Sequence, residues 1–191
     1  MTSILARLAA VAVTLATAGV AACGTPAEHR GDATSTTAAS SAPAHNADDV
    51  AFLQKMIPHY QQAVQLAAMA PTRTSNAQLT ALAANISDQQ PAVIQGFRAQ
   101  LIQWDLNPGA QPGIPMDGMV DPGTVDKLQT LSGAEFDTLW LQSMIAHHRG
   151  SITMAQTELS HGQSTDVTAV ANAIVASQQA EVDQMNQMLG G

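Results

Sequence analysis

The sequence predicts an all-α protein, an antiparallel four-helix bundle built from two helical hairpins. Three observations carry this. Apolar residues recur at helical spacing through four long stretches. Aromatic residues make up only 3% of the chain while Ala, Leu, Val and Gln abound, which favours helix over sheet. The two halves also match each other without gaps at a constant offset of 88 residues. A length of 191 residues suits one domain, and a hydrophobic fraction of 46% suits a folded core.

Residues 1–22 read as a signal peptide. Arg7 is their only cation, and the apolar run from Leu8 to Val20 is too short to span a bilayer. The run ends in Val20-Ala21-Ala22-Cys23, which resembles a bacterial lipobox with Cys23 lipidated as the mature N-terminus. Cys23 is the only cysteine, so no intramolecular disulfide and no cysteine-cluster metal site can form. Two or more acyl chains would hold the protein on the membrane. Residues 23–47 carry the lipidated Cys and a Thr/Ser/Ala/Pro-rich tether that cannot bury enough surface to fold. His29 and His45 fall in it and read as solvated.

The bundle is expected over residues 48–191, with repeats at about 48–105 and 133–191. The first helix is expected from Asp49 to Ala70, with Asp48 as N-cap and Pro71 as its stop. Pro58 lies inside it and removes one backbone donor. The second is expected from Asn76 to Asp105, with Pro91 inside. A Gly/Pro-rich connection from Asn107 to Gly123 divides the halves, and a short helix follows at Val125–Leu131. Ser132-Gly133-Ala134-Glu135 fits a capping box for the third long helix, which runs to Ser160. The fourth is expected from Asp166 to Leu189.

The internal match is strongest on the first helix of each half. Asp49, Leu53, Gln54, Met56, Ile57 and His59 map onto Asp137, Leu141, Gln142, Met144, Ile145 and His147. Ala67, Ile86 and Gln90 map onto Ala155, Ile174 and Gln178. Matching across two helices at one offset implies hairpins related by a pseudo-two-fold.

The segments Asp49-x2-Phe52-x3-Met56-Ile57-x-His59 and Asp137-x2-Trp140-x3-Met144-Ile145-x-His147-His148-x3-Ile152-x-Met154-Ala155 resemble the signature of the bacterial family called "domain of unknown function 305". Gln178-x2-Glu181-Val182-x2-Met185 resembles that family's later helix. The resemblance covers Asp48 to Leu189. It implies a ferritin-like four-helix bundle that is exported, often lipid-anchored, and in some members copper-binding. The first motif departs from the family's usual His pair, carrying His59-Tyr60 instead.

At about 100° per residue, Trp140, Met144, His147, His148, Ser151 and Ala155 share one helix face. The equivalent face of the first helix carries Asp49, Phe52, Met56, His59, Tyr60 and Ala63. If the two faces meet, Met56, His59, Met144, His147 and His148 form a candidate metal set. Asp49, Tyr60 and Asp137 are expected to support it. Thioether sulfur selects cuprous copper over hard cations, and imidazole accepts copper in either oxidation state. Di-iron bundles need Glu-x-x-His pairs on two helices, whereas the only such pair, Glu158 to His161, has no counterpart. Met116 and Met119 form a weaker accessory pair, Met185 and Met188 end the last helix, and Met69, Met154 and Met185 read as core.

A net charge of −8 makes the chain a poor nucleic-acid binder. No phosphate loop, serine elbow or zinc-protease motif is present. The residues therefore point to an exported, lipid-anchored copper-binding protein that sequesters or hands over the ion without turnover. Two alternatives fit the same residues: a metal-free structural or interaction module of the cell envelope, and a copper-dependent oxidoreductase.

Overall fold

The computed structural model describes residues 44–109 and 116–190. The expected signal peptide, Cys23, His29 and the linker up to residue 43 lie outside the described residues. Six helices follow in order: α1 Ala47–Ala67, α2 Ala70–Arg73, α3 Ala77–Gln103, α4 Pro122–Thr130, α5 Gly133–His161 and α6 Thr165–Met188. The described residues contain no strand, and none of their helices is long and apolar enough to cross a membrane.

Helix α1 is capped by Asn46 rather than by Asp48. The Asn46 side chain accepts from the backbone N–H groups of Asp48 and Asp49, and Asp49 Oδ2 accepts from the Asn46 N–H at 2.6 Å. This reciprocal pair is a capping box, which Asp48 cannot build because Ala51 stands three residues after it. The linker accordingly gives way to the fold before Asn46. His45 is half-buried and stacks on Trp104, with ring centroids 3.9 Å apart, in place of the solvated side chain expected.

Asn76 caps α3 and Ser164 caps α6, each accepting backbone N–H bonds through its side chain. The capping box expected at Ser132 does not form. Gly133 enters α5 at φ +58°, and that left-handed turn leaves the Ser132 hydroxyl without a cap bond. α1 and α3 run on through Pro58 and Pro91.

Helix α1 packs on α3 and α5 packs on α6, and α1 against α5 joins the two hairpins. α1 and α5 run antiparallel. Asn46 Nδ2, at the start of α1, donates to His161 O at the end of α5 at 2.8 Å. Trp140 Nε1, near the start of α5, donates to Leu66 O near the end of α1 at 2.8 Å. Between these anchors His59 lies against His147. Two apolar clusters form the core. One contains Leu66, Leu79, Trp140, Met144 and Met185, and the other Phe52, Met56, Phe97, Met154 and Ile174.

The repeat also ties the hairpins reciprocally. Asp49 Oδ1 accepts from the N–H of Ser164, the cap of α6, at 2.9 Å. Its counterpart Asp137 accepts from the side-chain amide of Asn76, the cap of α3, at 3.3 Å. Each motif helix thus holds the N-terminus of the other hairpin's second helix.

Candidate metal centre

Three imidazoles meet where α1 and α5 cross. The rings of His59 and His147 are 3.7 Å apart between centroids and tilted by 34°, and the His148 ring lies 6.1 Å from that of His147. All three residues are at most 1% exposed. Because residues 59 and 147 are equivalent in the repeat, antiparallel packing brings them face to face on the pseudo-two-fold.

Each ring has one buried nitrogen with no hydrogen-bond partner: His59 Nδ1, His147 Nε2 and His148 Nδ1. Buried polar atoms are nearly always paired, so three orphans in one layer mark unmet bonding capacity. On their other side two of the rings are held. His59 Nε2 lies 3.0 Å from Asp117 O, and His148 Nε2 lies 2.7 Å from Glu181 Oε2.

Burial pushes the His59 pKa down to about 4, the Asp117 carbonyl opposing and the charge on His148 adding to the drop. Burial also holds His147 well below its ordinary value, reinforced by the repulsion that protonating neighbouring imidazoles together would bring. Both rings are therefore neutral at pH 7, the form that binds metal.

The methionines are placed differently. Each lies three residues before its histidine, so antiparallel helices carry Met56 and Met144 about 4.5 Å off the crossing in opposite directions. Both are fully buried, and they belong to different apolar clusters. Each contributes about 1.5–3 kcal/mol by burial alone.

The neighbouring position separates the halves. The Tyr60 hydroxyl accepts from Gln178 Nε2 at 2.9 Å, and the Ser151 hydroxyl donates to Gln178 Oε1. Burial raises the Tyr60 phenol well above its ordinary range, so it stays protonated. Tyr60 is thus engaged in a buried polar chain, while its counterpart His148 keeps an unpartnered nitrogen.

Asp49 and Asp137, expected to support the imidazoles, are instead struts between hairpins, as described above. Burial works against the Asp49 carboxylate, but backbone bonds from Asn46, Ser164 and Gln163 outweigh it and lower its pKa. Glu158 lies beside it, buried, with its pKa pushed up to about 8 by burial and then by Asp49. Met116 and Met119 are half-buried, Met116 against the Met56 cluster, and His161 is exposed.

Among the described residues no three His, Cys, Asp or Glu side chains stand as a ready metal cage. The His59 and His147 rings instead face each other across the α1–α5 crossing, tilted by 34° with centroids 3.7 Å apart. Sequence reasoning passed over two partners of this layer, Glu181 and the backbone of Asp117. Glu181 sits in the Gln178-x2-Glu181 motif, which was a usable signal, but a backbone carbonyl leaves no mark in residue type.

The fold and site define an all-helical bundle with a buried histidine layer at its centre. The chain belongs to the DUF305 family, "domain of unknown function", whose model matches residues 49–189. It is similar to a secreted DUF305 protein of Streptomyces coelicolor, at 28% identity and TM-score 0.70, over 75% of this chain and 92% of that one. A DUF305 fragment from Deinococcus radiodurans is 31% identical with TM-score 0.70, over 76% and 97%. CopM in its Cu(I)-bound form is 30% identical with TM-score 0.63, over 73% and 94%. CopM has also been solved with Cu(II), with silver and in the apo form. No curated protein matches the chain.

Proposed function

We propose that this protein is an exported copper-binding protein, held to the membrane through Cys23. It takes up the ion at the α1–α5 crossing and sequesters or hands it over without turnover. The observation that carries the reading is the set of three unpartnered ring nitrogens, two of them on rings held neutral by burial. The likeness to CopM, which binds Cu(I), Cu(II) and silver, supports copper as the cargo. The likeness to a secreted DUF305 protein supports export. His147, His59 and His148 are the imidazole ligands in this reading, with Met56 and Met144 able to offer one soft sulfur on each side of the layer. Soft donors favour cuprous over ferrous or magnesium ions.

The close face-to-face packing of His59 on His147, with no ready cage among the described residues, favours a second reading, a metal-free envelope module in which the histidine layer only stabilises the bundle. Titration with cuprous, cupric and ferrous ions, followed by metal analysis, separates the two. The copper reading expects stoichiometric cuprous binding tighter than ferrous binding. Equal ferrous binding, or no retained copper, would sink it. Oxygen consumption on addition of cuprous ion would point instead to an oxidoreductase. Cys23→Ala should release the protein from membranes, and unchanged membrane binding with normal processing would contradict the anchor.

A further inference from the structure

Residues 116–120 cross the outside of the histidine layer as a short strap, and three contacts fix them there. Gln62 of α1 brackets Val120: its Oε1 accepts from the Val120 N–H at 2.8 Å, and its Nε2 donates to Val120 O at 2.9 Å. Gly118 has φ +78°, and a Cβ there would come within 2.6 Å of Ala146 O and 3.0 Å of His147 O. Only glycine lets the strap lie on the α5 backbone at that point. Gly150 makes room from the helix side, since a Cβ on it would run into Asp117 O and come within 2.7 Å of Gly118 Cα. Held this way, Asp117 O stands 3.0 Å from His59 Nε2.

A carbonyl oxygen only accepts, so His59 Nε2 must carry the proton. The lone pair of the neutral ring is then on Nδ1, the buried atom with no partner. We propose that the strap is a positioning element for the site. The Asp117 carbonyl, held by Gln62, Gly118 and Gly150, fixes His59 as the Nε2–H tautomer and presents Nδ1 as the ligating atom. The proposal rests on the copper reading above. Acceptors placed behind a ligating histidine orient the ring and raise its basicity. His148 has the Glu181 carboxylate for that role, and the strap supplies its equivalent to His59.

The test uses full-length protein labelled with 15N-histidine. Imidazole nitrogen spectra are recorded without metal at neutral pH, and cuprous affinity is measured by competition with a chelator. In the parent, His59 should appear as a single Nε2–H tautomer. Gly150→Ala and Gln62→Ala should mix the tautomers and weaken cuprous binding about 10- to 100-fold. Circular dichroism reports whether the helices persist, and if Gly150→Ala does not fold, Gln62→Ala carries the test. A His59 Nδ1–H tautomer in the parent overturns the proposal, as does an unchanged tautomer in a folded variant. If the parent binds no copper, the copper reading fails, yet the nitrogen spectra still decide whether the strap sets the tautomer.

Discussion

The two hairpins share a backbone plan and differ in what stands at one pair of positions. His59 and His147 are identical in the repeat and meet face to face. The next residues diverge. Tyr60 is tied into a buried chain with Gln178 and Ser151, while His148 is backed by Glu181 and keeps an unpartnered Nδ1. The internal repeat therefore accounts for the central pair, and the difference at the following position gives the second half two unpartnered ring nitrogens against one in the first. The first hairpin contributes an imidazole and the Tyr60 hydroxyl of the buried chain, the second two imidazoles and a carboxylate.

The largest effect should come from the shared position. His147→Ala removes the imidazole flanked by both other rings, and on the copper reading cuprous affinity should fall on the order of 100-fold or more, beyond the loss typical of an outer-shell partner. His59→Ala should fall less, and the exposed His161→Ala should change little. A chelator competition series orders the three. If His147→Ala binds copper like the parent while the helices persist, the site is not at the crossing.

Next in size is the support specific to the second half. Glu181→Gln keeps a hydrogen-bonding side chain beside His148 Nε2 but removes the anionic acceptor. An outer-shell change of this kind costs about 10- to 100-fold in metal affinity. An affinity matching the parent's would mean that His148 is not a ligand and that the halves differ only in packing.

The first half should respond in the opposite way. Tyr60→Phe leaves Gln178 Nε2 buried without its acceptor, a loss of about 1–3 kcal/mol of stability. Copper affinity should change by less than about threefold, because the protonated phenol is no ligand. Urea denaturation and the same competition assay read the two effects separately. A Tyr60→Phe variant that keeps its stability and loses copper would reverse the assignment of roles.

The fold was legible because helix signals in the sequence are local and repeated. Helical periodicity, the 88-residue offset and the Gly/Pro-rich connection between the halves each constrain the chain independently. The helix starts were less legible. His45-Asn46-Ala47-Asp48-Asp49 offers competing caps, and the choice depends on which one finds a carboxylate three residues on. Among the site residues, the meeting of His59 with His147 follows from their equivalence. The separation of Met56 from Met144 does not follow from helix pitch, which places each on its histidine's face. It follows from the antiparallel direction of α1 and α5, a property of the assembled bundle. The struts are hidden from the sequence for a related reason. Asp49 and Asp137 lie on the same faces as the histidines but two to three turns earlier, where each meets the cap of the opposite hairpin.

Those struts supply the finest contrast between the halves. Asp49 accepts backbone bonds from Asn46, Gln163 and Ser164, whereas Asp137 is half-buried and accepts one side-chain amide bond. Asp49→Asn should cost about 2–3 kcal/mol and Asp137→Asn about 1 kcal/mol, since bonds to a charged acceptor are the stronger. Only the Asp49 strut adjoins a second acid. Glu158 holds its proton in the folded chain up to about pH 8, against an ordinary value of 4.5. A raised pKa means that the folded state binds the proton more tightly than the unfolded state. Its stabilising contribution is complete below pH 4.5 and is lost as pH rises through 8. His59 acts at the other end: its pKa is lowered from 6.5 to about 4, so its contribution is complete above 6.5 and declines as pH falls toward 4. The parent's urea midpoint should therefore fall from pH 6.5 to about pH 8 and level off above it. Glu158→Gln, which keeps a donor beside Asp49 without an ionisable proton, should hold its midpoint across that window. A parent curve as flat as that of Glu158→Gln would show that Glu158 is already ionised in the folded chain, and the two struts would then differ in bond number alone.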